Sequence, residues 1–342
     1  MKNILKQIVV IITSLMIQSA FAQQKVILIN GAGATFPYPL YSKWFYEYAK
    51  IDKTVNFNYQ SIGSGGGIRQ IIAKTVDFGA TDAIMTAEQE KQAGEKVLHL
   101  PMTAGAVVLI YNIPEIKQQL NFTPEIISGI YLGKITKWND KRIAQENPNV
   151  SLPDKKIVVA RRSDGSGTTF IFTDYLCEIS AEWKSKVGKG TSVNWPVGLG
   201  GKGNEGVAGI VKNTPYSVGY VEISYAIQNN LQYAKVKNKA GKFISPSVEA
   251  ITAAIEAKAK NMPADFKVSI VNPDGENSYP ICGFTWLLVY QKQQNKTKAE
   301  KLVNFLKWAV TDGQKYCADL IYAPLSDNLR KMILKTIDTI EY

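Results

Sequence analysis

Arg161-Arg162-Ser163-Asp164-Gly165-Ser166-Gly167-Thr168-Thr169 lies between the apolar run Ile157-Val158-Val159-Ala160 and an apolar stretch beginning near Phe170. A short apolar run bounded by turn residues reads as a buried strand, and the longer stretch after it as a helix. The nonapeptide is therefore a strand–glycine turn–helix junction. In open α/β sheets ligands bind beyond the carboxyl ends of strands, where the next helix exposes unpaired N–H groups. This junction offers a guanidinium, a hydroxyl pair and two glycines within eight residues at a helix start. Those are the groups that meet a small oxyanion.

Three more junctions of the same kind lie upstream. Gly31-Ala32-Gly33-Ala34-Thr35-Phe36-Pro37 follows the strand Val26–Ile29 and adds the Thr35 hydroxyl. Ile62-Gly63-Ser64-Gly65-Gly66-Gly67 joins the alternating strand Val55–Tyr59 to a helix expected over Gly67–Thr75. Gly79-Ala80-Thr81-Asp82-Ala83 ends the short strand Asp77–Ala80 on a carboxylate. Taken singly, each reads equally as a plain turn or an N-cap, and Arg161-Arg162 with Asp164 as a surface ion pair. Four such junctions together point to one site.

The rest of the chain keeps the alternation. A helix is expected over Leu40–Lys50, buried strands over Ala106–Tyr111 and Phe284–Tyr290, and an amphipathic helix over Lys298–Val310. Strands alternating with helices predict α/β lobes with parallel-rich sheets. With 342 residues, the chain exceeds the roughly 250–300 residues at which single cores stop growing, so two domains are expected.

Lys2 and Lys6 open the chain, an apolar run covers Ile8–Ile17, and Gln18-Ser19-Ala20-Phe21-Ala22 ends in a small-x-small pattern. That is the layout of a secretory signal peptide over residues 1–22, cut after Ala22. The apolar run is shorter than the roughly 20 residues of a spanning helix. Cys177, Cys282 and Cys317 permit one disulfide in an oxidising compartment, or three buried thiols; their spacing matches no metal site. The net charge is +11; Lys2 and Lys6 supply two of these, leaving +9 on the mature chain. The lysines are scattered, with no basic block, which fits mild attraction for anions rather than nucleic-acid binding.

Other phosphate-handling and catalytic signatures fail. Gly201-Lys202 is followed by Gly203, and position 196 is proline, so no P-loop forms. Gly31 and Gly33 are followed by Phe36, so no dinucleotide fingerprint completes. The single histidine, His99, sits in the apolar run Val97–Pro101 and reads as structural. A serine nucleophile needs a base, and a metal phosphatase needs a ligand cluster; the sequence offers neither.

The four junctions, together with Ile130-Tyr131-Leu132-Gly133-Lys134-Ile135-Thr136-Lys137-Trp138-Asn139-Asp140 and Trp195-Pro196-Val197-Gly198-Leu199-Gly200-Gly201-Lys202-Gly203-Asn204, carry a resemblance. In order and over nearly the whole mature chain, these motifs resemble the periplasmic phosphate-binding proteins of the high-affinity phosphate ABC transporter. The resemblance implies an α/β, two-lobed periplasmic binding protein fold of type II, with phosphate in the inter-lobe cleft. It implies a periplasmic, non-enzymatic protein without cofactor or metal, monomeric, partnered by an inner-membrane permease and its ATPase subunits. Carried over by position, the phosphate contacts are Ala34, Thr35 and Phe36, then Ser64, Asp82, Arg162, Ser166, Gly167 and Thr168. Asp164 resembles the carboxylate that holds the arginine in place. Gly65 departs from relatives with a second serine, and the Gly198–Asn204 loop matches without a physical case for touching the ligand. The strand near Ala106–Tyr111 is expected to leave one lobe and the strand near Phe284–Tyr290 to return to it. Lobe one is then 23–108 plus 283–342, and lobe two 109–282. A secreted phosphatase and a binder of another oxyanion, sulfate or molybdate, are the alternatives. Asp82 argues against the second, because it can accept a proton that sulfate does not carry.

Overall fold

Apolar runs separated by glycine turns build one mixed sheet covered by helices. The computed structural model describes residues 26–258 and 262–342. The expected leader and its cleavage point lie outside the described residues. Among the described residues, no helix is long and apolar enough to cross a membrane.

The chain opens with β1 (Ile27–Gly33), α1 (Tyr38–Ile51), β2 (Val55–Ser61), α2 (Ser64–Ile72), β3 (Phe78–Thr81), α3 (Ala87–Ala93) and the long β4 (Val97–Asn112). Its middle holds β5 (Asn121–Phe122), α4 (Pro124–Tyr131), α5 (Lys141–Glu146), β6 (Val158–Arg162), α6 (Gly167–Ile179), α7 (Ala181–Lys186), β7 (Leu199–Gly201) and α8 (Gly203–Asn213). After these come β8 (Ser217–Glu222), α9 (Ile223–Gln228), β9 (Gln232–Tyr233), β10 (Lys235–Lys237), β11 (Phe243–Ile244) and α10 (Val248–Lys258). The chain ends with β12 (Cys282–Tyr290), α11 (Lys296–Val310) and α12 (Asp327–Ile337).

The main sheet has nine strands in the order β2-β1-β3-β12-β4-β8-β6-β7, with β9 beside β4. Its flanks are parallel: β1 with β2 and β3, and β6 with β7 and β8. Its centre is antiparallel, because β12 pairs against both β3 and β4, and β4 against β8. The expectation of parallel-rich sheets therefore holds at the flanks and fails in the middle. The reason is β4, which is far longer than the run Ala106–Tyr111 suggested. Val97–Ala106 pairs with β12, and Val107–Asn112 pairs with β8. One strand thus belongs to both halves of the molecule. A small sheet, β11-β10-β5, lies apart.

Aromatic packing fixes the flank that carries the first three junctions. Phe57 of β2 lies 4.9 Å from Phe45 of α1 and 4.4 Å from Phe305 of α11, ring centre to ring centre. Burying each such ring contributes about 1.5–3 kcal/mol. Trp44 is fully buried, and its indole N–H donates to the Gly313 carbonyl at 2.7 Å. All three cysteines are free; Cys282 and Cys317 are buried, and burial pushes the Cys317 thiol up to about 12. His99 is buried in β4 with Nε2 accepting from the Met85 N–H, and burial pushes it down to about 4. It is neutral at physiological pH and serves the strand.

Candidate functional site: a buried, donor-lined anion site

The four junctions meet. β1, β3 and β6 end on the first, third and fourth junctions, and α2 and α6 start on the second and fourth. Gly65 N–H donates to the Gly165 carbonyl at 2.9 Å, and Ala34 N–H to the Ala80 carbonyl at 2.9 Å. A β-carbon added to Gly167 would stand 2.4 Å from both Asp82 Oδ2 and Ser64 Oγ. Three of the four junctions touch at that point.

The first junction presents its N–H groups by an arrangement of tyrosines. Tyr59 OH donates to the Ala34 carbonyl at 2.7 Å, Tyr225 OH to Thr35 at 2.6 Å and Tyr322 OH to Phe36 at 2.7 Å. In a trans peptide the carbonyl and the next N–H point in opposite directions. Pinning the Ala34 and Thr35 carbonyls outward therefore turns the Thr35 and Phe36 N–H groups inward. Phe36 also fills the core beneath, fully buried and edge-on to Tyr322.

The second junction begins a helix earlier than expected. α2 starts at Ser64 rather than Gly67, so the glycine run is itself the first helical turn. It can be so because side chains there would collide. Gly67 packs against the Ala80 and Ala32 carbonyls, and Gly63, at φ +83°, abuts Asp164. Ser64, fully buried, accepts from the Asp82 N–H at 3.1 Å and lies 3.4 Å from Asp82 Oδ2.

Asp82 is almost completely buried, and its Oδ1 has no hydrogen-bond partner among the described residues. Burial pushes its carboxyl up to about 7, against the pull of the Thr285 hydroxyl, the Arg162 charge and the Ser64 hydroxyl. At neutral pH this group is poised to hold or release a proton.

In the fourth junction Arg162 is buried and forked onto Asp164, Nε to Oδ1 at 2.8 Å and Nη2 to Oδ2 at 2.6 Å. Burial works to raise the Asp164 pKa, but the guanidinium outweighs it and holds the carboxyl below its usual range. Gly203 N–H also donates to Asp164 Oδ1 at 3.0 Å. A guanidinium has five N–H groups. Two go to Asp164 and one approaches Thr168 Oγ1 at 3.4 Å, leaving two uncommitted. Ser166 caps α6, its Oγ accepting from the Thr169 N–H at 3.0 Å. The Gly167 and Thr168 N–H groups fall in the first turn, where no intrahelical acceptor exists. The junctions thus bring many buried donors and the Asp82 carboxyl together out of contact with solvent. Two surface cavities, of about 640 and 700 Å³, lie elsewhere and take none of these residues.

The family model of the PBP superfamily domain matches residues 18–313. A phosphate-binding protein PstS from Pasteurella multocida is 46% identical over 307 residues, covering 89% of this chain and 88% of that protein. A phosphate-binding protein PstS from Xylella fastidiosa is 45% identical over 312 residues, covering 91% and 85%. The chain belongs to the PstS family of phosphate-binding proteins. Among solved structures, a high affinity periplasmic phosphate-binding protein (PfluDING) bound with phosphate superposes with a TM-score of 0.71 at 20% identity, covering 90% of this chain and 93% of that one. An ABC-type phosphate transport receptor from Vibrio cholerae superposes at 0.56 and 18%, covering 86% and 99%. These likenesses show the two-lobed binding protein fold.

Two parts of this PstS-family site escaped the sequence reading. The first is the tyrosine trio, which lies far apart in sequence and offers no local signal. The second is Asn204, at the end of the Gly198–Asn204 loop. It is fully buried, with Nδ2 at 2.7 Å from Thr35 Oγ1 and 3.1 Å from Thr168 Oγ1. The loop had matched its relatives, but nothing in its composition said which side chain would turn inward.

Proposed function

We propose that this protein captures inorganic phosphate between its two lobes and delivers it to an inner-membrane ABC permease and its ATPase subunits. The chain acts in the periplasm, as a monomer, after export by its N-terminal signal peptide. The ligand is met by the Thr35 and Phe36 N–H groups beyond Ala34, and by the hydroxyls of Thr35, Ser64, Ser166 and Thr168. Arg162 and the N–H groups of Gly167 and Thr168 complete the donors, and Asp82 supplies the acceptor. We take the lobes as 23–108 plus 283–342 and 109–282; the exchange of β12 for β8 along β4, between Ala106 and Val107, supports a division near that point.

The observation that carries the reading is the pairing of this donor set with one buried carboxyl, Asp82, whose Oδ2 lies against Ser64 and the Gly167 position. A buried dianion without partners is prohibitively costly. Hydrogen bonds to charged groups are worth about 1.5–3 kcal/mol each, so a handful covers the roughly 8 kcal/mol of micromolar affinity after association costs. Phosphate keeps a proton near neutrality, which Asp82 can accept; sulfate has none. The test is equilibrium binding of labelled phosphate to the purified mature chain, with sulfate as competitor. Saturable binding resistant to excess sulfate is expected; equal competition by sulfate, or no binding, would refute the assignment.

A further inference from the structure

We propose that Asn204 is a positioning residue that forces the Thr35 and Thr168 hydroxyls to donate toward the ligand. A hydroxyl can either donate or accept, so a site built from hydroxyls is ambiguous in sign. The hydrogen-bond pattern around Asn204 removes the ambiguity in three steps.

The backbone N–H of Glu222, at the end of β8, donates to Asn204 Oδ1 at 2.9 Å. An N–H cannot accept, so this contact fixes which end of the amide is oxygen. The amide nitrogen must then face the two threonines, and its two protons go one to each, at 2.7 and 3.1 Å. Thr35 Oγ1 receives a further N–H from the Asn204 backbone at 3.3 Å, and Thr168 Oγ1 receives Arg162 Nη1 at 3.4 Å. Each hydroxyl oxygen therefore has two donors on its two lone pairs. What remains on each oxygen is its proton, which can only be given away.

Asn204 stands on α8, on the same side as Thr168 of α6, whereas Thr35 follows β1 on the opposite side of the cleft. One amide thus sets both hydroxyls only when the two sides are together. Closure and donor orientation become one event, and the closed site prefers a ligand whose oxygens all carry free lone pairs at those two points. Neither the donor list nor the Asp82 argument requires this residue.

The inference rests on the phosphate reading, and the experiment separates the two. Phosphate is titrated calorimetrically into wild type, Asn204→Ala, Asn204→Asp, Thr35→Val and the Asn204→Ala/Thr35→Val double variant, with thermal melts of each ligand-free chain as a folding check. A hydrogen bond to a charged group is worth roughly ten- to a hundredfold in affinity. Asn204→Ala is expected to lose at least tenfold. Asn204→Asp, whose ionised carboxylate only accepts, draws both protons away from the ligand and is expected to lose at least a hundredfold. Once the Thr35 hydroxyl is gone, Asn204→Ala is expected to lose at most half as much on a logarithmic scale, because there is less left to orient. Wild-type binding with both Asn204 variants within threefold of it overturns the inference and leaves the phosphate reading standing. Fully additive losses in the cycle overturn it too, because a merely structural asparagine would act independently of Thr35. Absence of wild-type binding overturns the phosphate reading itself and takes the inference with it.

Discussion

With one carboxylate oxygen unpartnered and the whole group buried, the Asp82 carboxyl is pushed up to about 7 in the closed arrangement. Its folded pKa lies above the ordinary carboxylate value of about 3.9. The sign follows from that order. The protonated form favours the fold, so Asp82's stabilisation is complete below the ordinary value and is lost as pH rises through about 7. The same group decides between anions. Ionised, it repels sulfate and accepts the proton of phosphate; protonated, it no longer repels sulfate. Sites built on one such hydrogen bond discriminate by roughly four to five orders of magnitude. Phosphate-over-sulfate selectivity should therefore fall as pH drops below about 7, and fall at constant pH in Asp82→Asn. The measurement is the ratio of the two dissociation constants at fixed ionic strength. A ratio that moves in neither case would reduce Asp82 to a cap on the Ser64 loop.

Elements differ sharply in how far the sequence discloses them. Strands were readable because each carries a short apolar run bounded by polar or glycine residues: β1, β2, β3 and β6 all lie within a few residues of their expected places. The four junctions were readable for the same reason, as glycines mark close backbone approach and hydroxyls mark helix starts. The start of α2 was not. Glycine is a poor helix former, and only the crowding of Gly65 against Gly165 and Gly67 against Ala80 explains a helix made of it. The full length of β4 was hidden by His99, Pro101 and Thr103, which interrupt the apolar run without breaking the strand. Residues that act on the site from afar, Tyr59, Tyr225, Tyr322 and Asn204, depend on tertiary proximity that one sequence does not display. Gly167 provides a test at this scale. Alanine is favoured over glycine within a helix by about 1 kcal/mol, so Gly167→Ala should leave the open, ligand-free chain folded. In the closed arrangement its methyl would stand 2.4 Å from Asp82 and Ser64. Phosphate affinity should drop at least tenfold while the ligand-free melting temperature stays level or rises. Retained affinity would mean that α6 does not approach Asp82 when the ligand is bound.

At the scale of the whole molecule, the site is assembled from two sides joined through the sheet. β4 runs through both, pairing with β12 up to Ala106 and with β8 from Val107. Contacts between the sides at the junctions include Gly65 to Gly165, Asn204 to Thr35 and the Tyr225 hydroxyl to the Thr35 carbonyl. Such hydrogen bonds are each worth a net 0.5–1.5 kcal/mol or so. Without ligand they must also hold Arg162 and a set of inward N–H groups away from water, which opposes closure. A bound dianion reverses that term by partnering the donors of both sides at once. The ligand thus has differential affinity for the closed state, which is the requirement for shifting the equilibrium toward it. The motion expected of two bodies joined by two strand crossings is hinge closure. Small-angle scattering of the mature chain should give a smaller radius of gyration with saturating phosphate than without. In Asn204→Ala the contraction at saturation should persist but require more phosphate, since the variant loses affinity without losing the hinge. Superimposable curves for the wild type, with binding verified by calorimetry on the same sample, would mean that the ligand enters a cleft already closed.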